Sequence, residues 1–139
     1  MLTDDDRMFR DAVRRYAREQ VAPQVKQMDE AGVFSRSLLH QFFQNGFMGI
    51  EIPEQYGGQG GNCFQSVLAI EELASVDPAA AVIVDVQNTL VNAVFMRWAN
   101  DQQKTKYLPM LAESSLGAYA LSEAGSGSDA FALATTAQD

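Results

Sequence analysis

The chain has 139 residues, 47% of them hydrophobic, with ten Lys plus Arg against eighteen Asp plus Glu and a net charge of −8. That length suits one ordinary domain able to bury about two-thirds of its unfolded surface, and the apolar content excludes a disordered tail. The acidic balance argues against nucleic acid or an anionic membrane as the main partner, and the lone Cys63 excludes an intrachain disulfide framework or a Cys-rich zinc site.

Thr3 followed by Asp6 makes a capping-box-like helix start, and Asp4 to Asp6 suit the positive end of the helix dipole. Phe9, Ala12, Val13, Tyr16, Ala17 and Val21 then recur at helical spacing. Arg10, Arg14, Arg15 and Arg18 read as a solvated face, because Asp11 and Glu19 alternate with them. Pro23 ends or kinks this helix, and a second piece runs to Met28. Ser35 caps a short helix with Leu38, Leu39, Phe42 and Phe43 inward, and Gly46 fits its left-handed C-terminal position. Phe47 to Ile52 reads as extended, and Ile52 to Asn62 as a glycine-rich loop.

A third helix places Phe64, Val67, Leu68 and Leu73 for burial. Asp77–Pro78 starts the next helix, which continues to the neighbourhood of Trp98 and is apolar nearly all round, as a helix buried among others is. Its polar residues Asp85, Gln87, Asn88, Asn92 and Arg97 need partners or a pocket. Asp101 caps a last amphipathic helix, which Pro109 limits or bends. After Leu116 the character changes: GAYALSE is strand-like, AGSGSD is a turn, and AFALATTA alternates weakly. The expected fold class is mainly α, with a helical domain over residues 1–115 and an incipient β-hairpin over 116–139. The open strand edges read as the start of a second domain.

The longest apolar run, Ala79 to Val84, falls short of the roughly 20 residues of a membrane helix. The acidic start MLTDDDRMFR is unlike a secretory or transit peptide, so a soluble intracellular polypeptide is expected.

Candidate chemistry is sparse. His40 has no second ligand type nearby and reads as structural; Cys63 reads as a small core or loop residue; no metal site is expected. Glu71 and Glu72 diverge by about 100° on a helix, so one faces solvent and the other a partner helix. Gly125 to Ala130 formally satisfies G-x-G-x-x-A, but no helix and no acidic residue at the required distance follow, which excludes a dinucleotide fold. A Gly/Ser turn still exposes backbone N–H groups able to hold phosphate oxygens, and Ser122, Ser126 and Ser128 add hydroxyls. The competing reading is an ordinary tight turn.

These motifs, in this order, resemble the acyl-CoA dehydrogenase family over essentially the whole chain. They are YAREQVAP (Tyr16 to Pro23), Met28–Asp29, GFMGIEIPEQYGGQG (Gly46 to Gly60), IEELA (Ile70 to Ala74), QNTL (Gln87 to Leu90), DQQKTKYLP (Asp101 to Pro109) and AYALSEAGSGSDAFAL (Ala118 to Leu133). The last is the most specific, a strand ending in Ser-Glu and then a Gly-x-Gly-Ser-Asp turn. GIEIPEQYGG and QNTL look closest to the short/branched-chain branch.

The resemblance implies an N-terminal helical domain, a middle β-domain and a C-terminal four-helix domain, this chain matching the first and the opening strands of the second. It implies FAD, bound where the three domains meet. The family's strand-and-turn motif corresponds to Tyr119, Ala120, Leu121, Ser122, Glu123, Ala124, Gly125, Ser126, Gly127 and Ser128. Leu121 and Ser122 would contact the isoalloxazine ring, and Ser128 the flavin phosphate region and the CoA chain. Val82, Val86 and Leu90 correspond to one wall of the acyl pocket, a stripe that equally suits a buried helix face.

The implied reaction is α,β-dehydrogenation of a fatty acyl-CoA thioester, in fatty acid or branched-chain amino acid catabolism, with electrons passing to an electron-transfer flavoprotein. Family members are homo-oligomers, in the mitochondrial matrix if the source is eukaryotic and in the cytoplasm if it is bacterial. The family's catalytic glutamate lies in the C-terminal domain, so no catalytic residue is expected here. Glu51, Glu71, Glu72 and Glu123 do not stand in for it, and this chain alone is expected to be inactive. The alternative is a non-catalytic helical module that binds acyl-CoA or pairs with other subunits.

Overall fold

In the computed structural model, which describes residues 2–138, Thr3 starts α1 (Asp4–Tyr16) with a reciprocal cap. Its hydroxyl accepts the Asp6 amide at 3.1 Å, and the Asp6 carboxylate accepts the Thr3 amide at 3.0 Å. The helix then passes through a π-helical turn, Ala17–Val21, into α2 (Ala22–Ala31). Pro23 therefore does not end the helix. It sits in the first turn after the π turn, where a missing N–H does least harm. The second piece runs past Met28 to Ala31, where Gly32 at φ 62° closes it.

Ser35 caps α3 (Arg36–Gln44) by accepting the Leu38 amide at 3.3 Å, and Gly46 takes the left-handed conformation after it at φ 74°. Phe47 to Ile52 is not extended. It coils through a 3-10 turn, Phe47–Gly49, because buried side-chain amides of a distant helix, rather than a neighbouring strand, take up its backbone groups. The glycine loop folds back on this coil: the Gln59, Gly60 and Gly61 amides donate to the carbonyls of Gly49, Ile52 and Ile50 at 2.9, 2.9 and 2.8 Å. Gly58 makes that approach possible, since a Cβ there would lie 2.0 Å from the Ile52 carbonyl oxygen.

α4 (Cys63–Ala74) packs against α1 and α5 (Pro78–Asp85). Leu68 and Leu73 are buried as expected, but Phe64 and Val67 are each 49% exposed. The buried residues of α4 are Ser66, Leu68, Ala69, Glu72 and Leu73, so Glu72 is the carboxylate of the Glu71–Glu72 pair that faces a partner helix. The Asp77 carboxylate caps α5, accepting the Ala79 and Ala80 amides at 3.2 Å each. α5 continues through a second π turn, Val86–Asn92, into α6 (Ala93–Trp98).

This Pro78–Trp98 stretch is 21 residues long and holds an 18-residue window with a mean hydropathy of 1.5, enough by length and composition to cross a membrane. Its buried Gln87, Asn88 and Asn92 are bonded into the protein, which makes it a core helix. It is not buried all round: Val82, Val94 and Trp98 stand exposed on its other side.

α7 (Asp101–Glu113) begins one residue earlier in chemistry than expected. Asn100, not Asp101, is the cap, exchanging 2.9 Å bonds with Gln103. Pro109 lies inside α7 without ending it. Val13, Ala17, Leu38, Phe42, Met48, Leu73 and Val84 form the larger core, and Ile52, Val91, Leu108 and Leu111 a smaller one under α7.

The fold is thus mainly α. The expected terminal hairpin is reduced to one antiparallel bridge, Glu123 with Ser126, and no sheet forms among the described residues. Two short stretches without a third strand have too little to pair with, and the Glu123 side chain takes the amides of Ala134 and Thr135 instead.

Candidate functional site

The candidate site begins where α7 ends. Gln87, 1% exposed in the second π turn, donates to the Leu111 and Ser115 carbonyls at 2.8 and 3.0 Å and accepts the Gly117 amide at 2.8 Å. Beyond Gly117 the backbone has no regular secondary structure up to Glu123, and Tyr119, Ala120, Leu121 and Ser122 are exposed. Their amides and carbonyls find no backbone partner among the described residues, so this edge is open to hydrogen bonding. Tyr119 and Leu121 add apolar surface, 46% and 41% exposed.

The turn that follows is closed by the Glu123 and Ser126 amides, each donating to the other residue's carbonyl at 2.9 and 3.1 Å. Ala124, Gly125, Gly127 and Ser128 are exposed on it. Nothing lies within 4 Å of where a Cβ would stand on Gly125 or Gly127, leaving the backbone approachable. The serines part company here: Ser126 is buried and donates its hydroxyl to the Asp129 carbonyl at 2.7 Å, whereas Ser122 and Ser128 are exposed. Glu123 pins the far side of the turn, accepting the Ala134 and Thr135 amides at 2.8 and 3.2 Å. Hydrogen bonding from Thr135, and then from Ala134, holds its carboxyl below the ordinary glutamate value.

Val82 is 56% exposed, while Val86 and Leu90 are half-buried, Val86 against the smaller core. The stripe is therefore a graded edge of the helix, less buried than the neighbouring Gln87, Asn88, Val91 and Asn92. A groove of about 710 Å³ lined by Ala22, Val25, Met28, Val33, Phe34 and Asp77 contains none of the candidate residues.

The carboxylates are occupied elsewhere. Glu72 is buried in a bidentate pair with Arg14, at 2.8 and 2.7 Å, while Glu71 is exposed, the divergence that the helix geometry predicts. Hydrogen bonding to Glu72 raises the Arg14 pKa above its ordinary value. Arg14 thus reaches from the arginine face to a buried carboxylate; no local spacing signals a partner 58 positions away. Glu51 accepts the Ser66 hydroxyl at 2.7 Å. His40 is exposed, and so is Cys63, which opens α4 instead of lying in the core or a loop. No group of three His, Cys, Asp or Glu side chains converges among the described residues.

Residues 3–115 match the model of the acyl-CoA dehydrogenase N-terminal domain. The chain belongs to the acyl-CoA dehydrogenase family. It is 51% identical over 136 residues to the probable short/branched chain specific acyl-CoA dehydrogenase of Dictyostelium discoideum, covering 98% of this chain and 33% of that protein. It is 47% identical over 135 residues to the mitochondrial short/branched chain specific acyl-CoA dehydrogenase of Bos taurus, covering 97% of this chain and 31% of that one. The structure of butyryl-CoA dehydrogenase from Megasphaera elsdenii superposes with a TM-score of 0.86 at 30% identity, over 94% of this chain and 35% of that chain. The chain therefore spans about a third of the length of the curated acyl-CoA dehydrogenases it matches. Within the acyl-CoA dehydrogenase scheme, Val82, Val86 and Leu90 lie inside the matched helical domain, and Tyr119 to Ser128 follow its last matched residue.

Proposed function

We propose that this chain is the N-terminal part of an FAD-dependent acyl-CoA dehydrogenase that desaturates short or branched acyl-CoA thioesters. Residues 1–115 form its helical domain, and residues 116–139 open its middle β-domain. The observation that carries this reading is the 51% identity to a short/branched chain specific relative across nearly the whole chain.

The donor set after α7 suits a flavin. A backbone with unpaired amides and carbonyls, beside the Ser122 hydroxyl, suits the alternating polar edge of an isoalloxazine ring, and Tyr119 and Leu121 offer apolar cover. The open backbone at Gly125 and Gly127 and the exposed Ser128 suit phosphate oxygens. Ser126, whose hydroxyl is spent on Asp129, shapes the turn instead.

Bound FAD supplies the hydride acceptor for the substrate β-carbon. The α C–H bond breaks at the same stage, its proton passing to a carboxylate outside this chain, and the two carbons gain a double bond. Donors fixed on the thioester carbonyl favour that proton loss by stabilising developing negative charge. Within this chain, Val82, Val86 and Leu90 would line the acyl chain and keep water from it. The electrons leave to an electron-transfer flavoprotein, and the enzyme assembles as a homo-oligomer. A eukaryotic source places it in the mitochondrial matrix, a reading supported by the bovine relative, whose name calls that protein mitochondrial; a bacterial source places it in the cytoplasm.

The test is to isolate the native polypeptide with an antibody against this chain and titrate it anaerobically with a short branched acyl-CoA. Flavin absorbance that bleaches on addition supports the proposal. A polypeptide free of flavin, or flavin unaffected by every acyl-CoA tried, overturns it.

A further inference from the structure

We infer that Gln87 is a positioning residue, which fixes the flavin-contacting segment Tyr119 to Ser128 against the helix that carries the acyl-pocket stripe. The inference rests on the flavin assignment just proposed, and adds a residue with no ligand contact of its own.

Gln87 is fully buried and fully bonded. Its nitrogen uses both protons, on the Leu111 and Ser115 carbonyls, and its oxygen takes the Gly117 amide. The Leu111 carbonyl belongs to the last turn of α7, where a helix leaves its carbonyls without intrahelical partners. One side chain therefore closes the end of α7 and grips the segment that departs from it. Gly117 completes the clamp from the other side: a Cβ there would lie 2.3 Å from a Val91 methyl, so only glycine lets the backbone lie this close to the helix.

Downstream of that clamp, no backbone bond holds the chain until Glu123 meets Ser126. The direction in which the segment leaves Gly117 thus decides where Leu121 and Ser122 come to lie. The π turn supplies the rest of the argument. Within Val86–Asn92 it buries Gln87, Asn88, Val91 and Asn92 and leaves Val86 and Leu90 half-exposed. Adjacent residues of one turn, Val86 and Gln87, so serve the acyl stripe and the flavin segment respectively, which locks the two in register.

Releasing Gly117 moves the last anchor back to Ser115, whose amide donates to the Met110 carbonyl at 2.7 Å. Two freed residues add up to about 7 Å of reach. The test uses the 139-residue chain and its native, exposed Cys63. With Ser122→Cys as the second site, paired spin labels report the distance from α4 to the segment by pulsed dipolar spectroscopy. In the Gln87→Met variant, similar in volume but without the amide, the distance distribution widens by several ångströms while helix content and the unfolding transition remain cooperative.

Gln87→Asn keeps an amide too short to reach Gly117 and serves as the second reading if Gln87→Met does not fold. A distribution unchanged in a folded variant overturns the inference, because a residue that only stabilises the core lowers the melting temperature without moving the segment. FAD titration of the native polypeptide and of its Gln87→Met variant, both unlabelled and with Ser122 intact, separates the two proposals. If the distribution widens and FAD affinity falls with the competent population, both hold. If it widens and FAD binding is identical in wild type and variant, Gln87 positions the segment but the flavin assignment fails, and with it the inference as stated.

Discussion

The Asn88 side-chain oxygen accepts the Ile50 amide at 2.9 Å, while its nitrogen donates to the Phe47 and Val84 carbonyls at 2.7 and 2.9 Å. Asn92 adds a 2.8 Å bond to the Met48 carbonyl. These amides stand in for the strand that would otherwise satisfy a buried, irregular backbone. Each polar group left unpartnered in an interior costs about 1–3 kcal/mol. Asn88→Leu strands the Ile50 amide and the Phe47 carbonyl together, and is expected to lower stability by about 3 kcal/mol or more in urea unfolding. A loss within ordinary surface-mutation scatter would show that water replaces the amide.

Gly58→Ala should cost about 1–3 kcal/mol by overpacking, because the new methyl meets the Ile52 carbonyl, a backbone atom that cannot step aside. The loop must lift, so the Gln59 and Gly60 amides should lose protection in hydrogen exchange. Gly125→Ala is the control: its Cβ meets nothing within 4 Å, and its stability should match wild type.

The Arg14–Glu72 pair is asymmetric, with side-chain exposures of 41% and 7%. Removing the arginine leaves a buried carboxylate unpaired, which is the costly half of breaking such a pair. Arg14→Ala is therefore expected to melt at a lower temperature than the double variant Arg14→Ala/Glu72→Leu. A double-mutant cycle that returns simple additivity refutes the coupling.

Tyr16 packs edge-on against Phe47, with centroids 5.0 Å apart, and its hydroxyl donates to Gln41 at 3.2 Å. Burial pushes its phenol up to about 12. A raised value means that the neutral ring stabilises the fold below the ordinary tyrosine range, and that this contribution disappears as pH rises through about 12. An absorbance titration should contain a late phenolate step that Tyr16→Phe removes; an identical curve for the variant would locate that step elsewhere.

For Glu123 the sign reverses. Its carboxyl is held below the ordinary value, so its grip on the Ala134 and Thr135 amides is complete above the usual glutamate range and is lost as pH falls through the lowered value. The amide resonances of residues 134 and 135 should shift together on acidification, and Glu123→Gln should abolish that titration. Shifts that persist in the variant would assign them to another group.

Local chemistry was read directly. Thr3, Ser35 and Asp77 cap helices, and Gly46 turns left-handed, because a cap needs only its own side chain and amides two or three residues on. Glycine loop and helix periodicity were equally visible. Asp101 missed the cap by one residue because Asn100 offers the same chemistry with Gln103 in the reciprocal position. Neither Pro23 nor Pro109 ends its helix, since Pro23 sits in a first turn and α7 continues through Pro109 to Glu113.

The sequence by itself determined the helical class, the caps, the family resemblance and the candidate motif at Tyr119 to Ser128, all of which depend on residue type and short spacing. Only the tertiary structure decided which polar residues go inside. Gln87, Asn88 and Asn92 were visible as polar interruptions, but apart from Val84 their partners lie 24 to 44 residues away, and Arg14 finds Glu72 across 58. It also decided that Ser126 faces inward while Ser122 and Ser128 stay open, and that the terminal stretches remain unpaired. A hydrogen bond between distant residues depends on where packing brings their backbones, and that is a property of the whole fold rather than of any window along the chain.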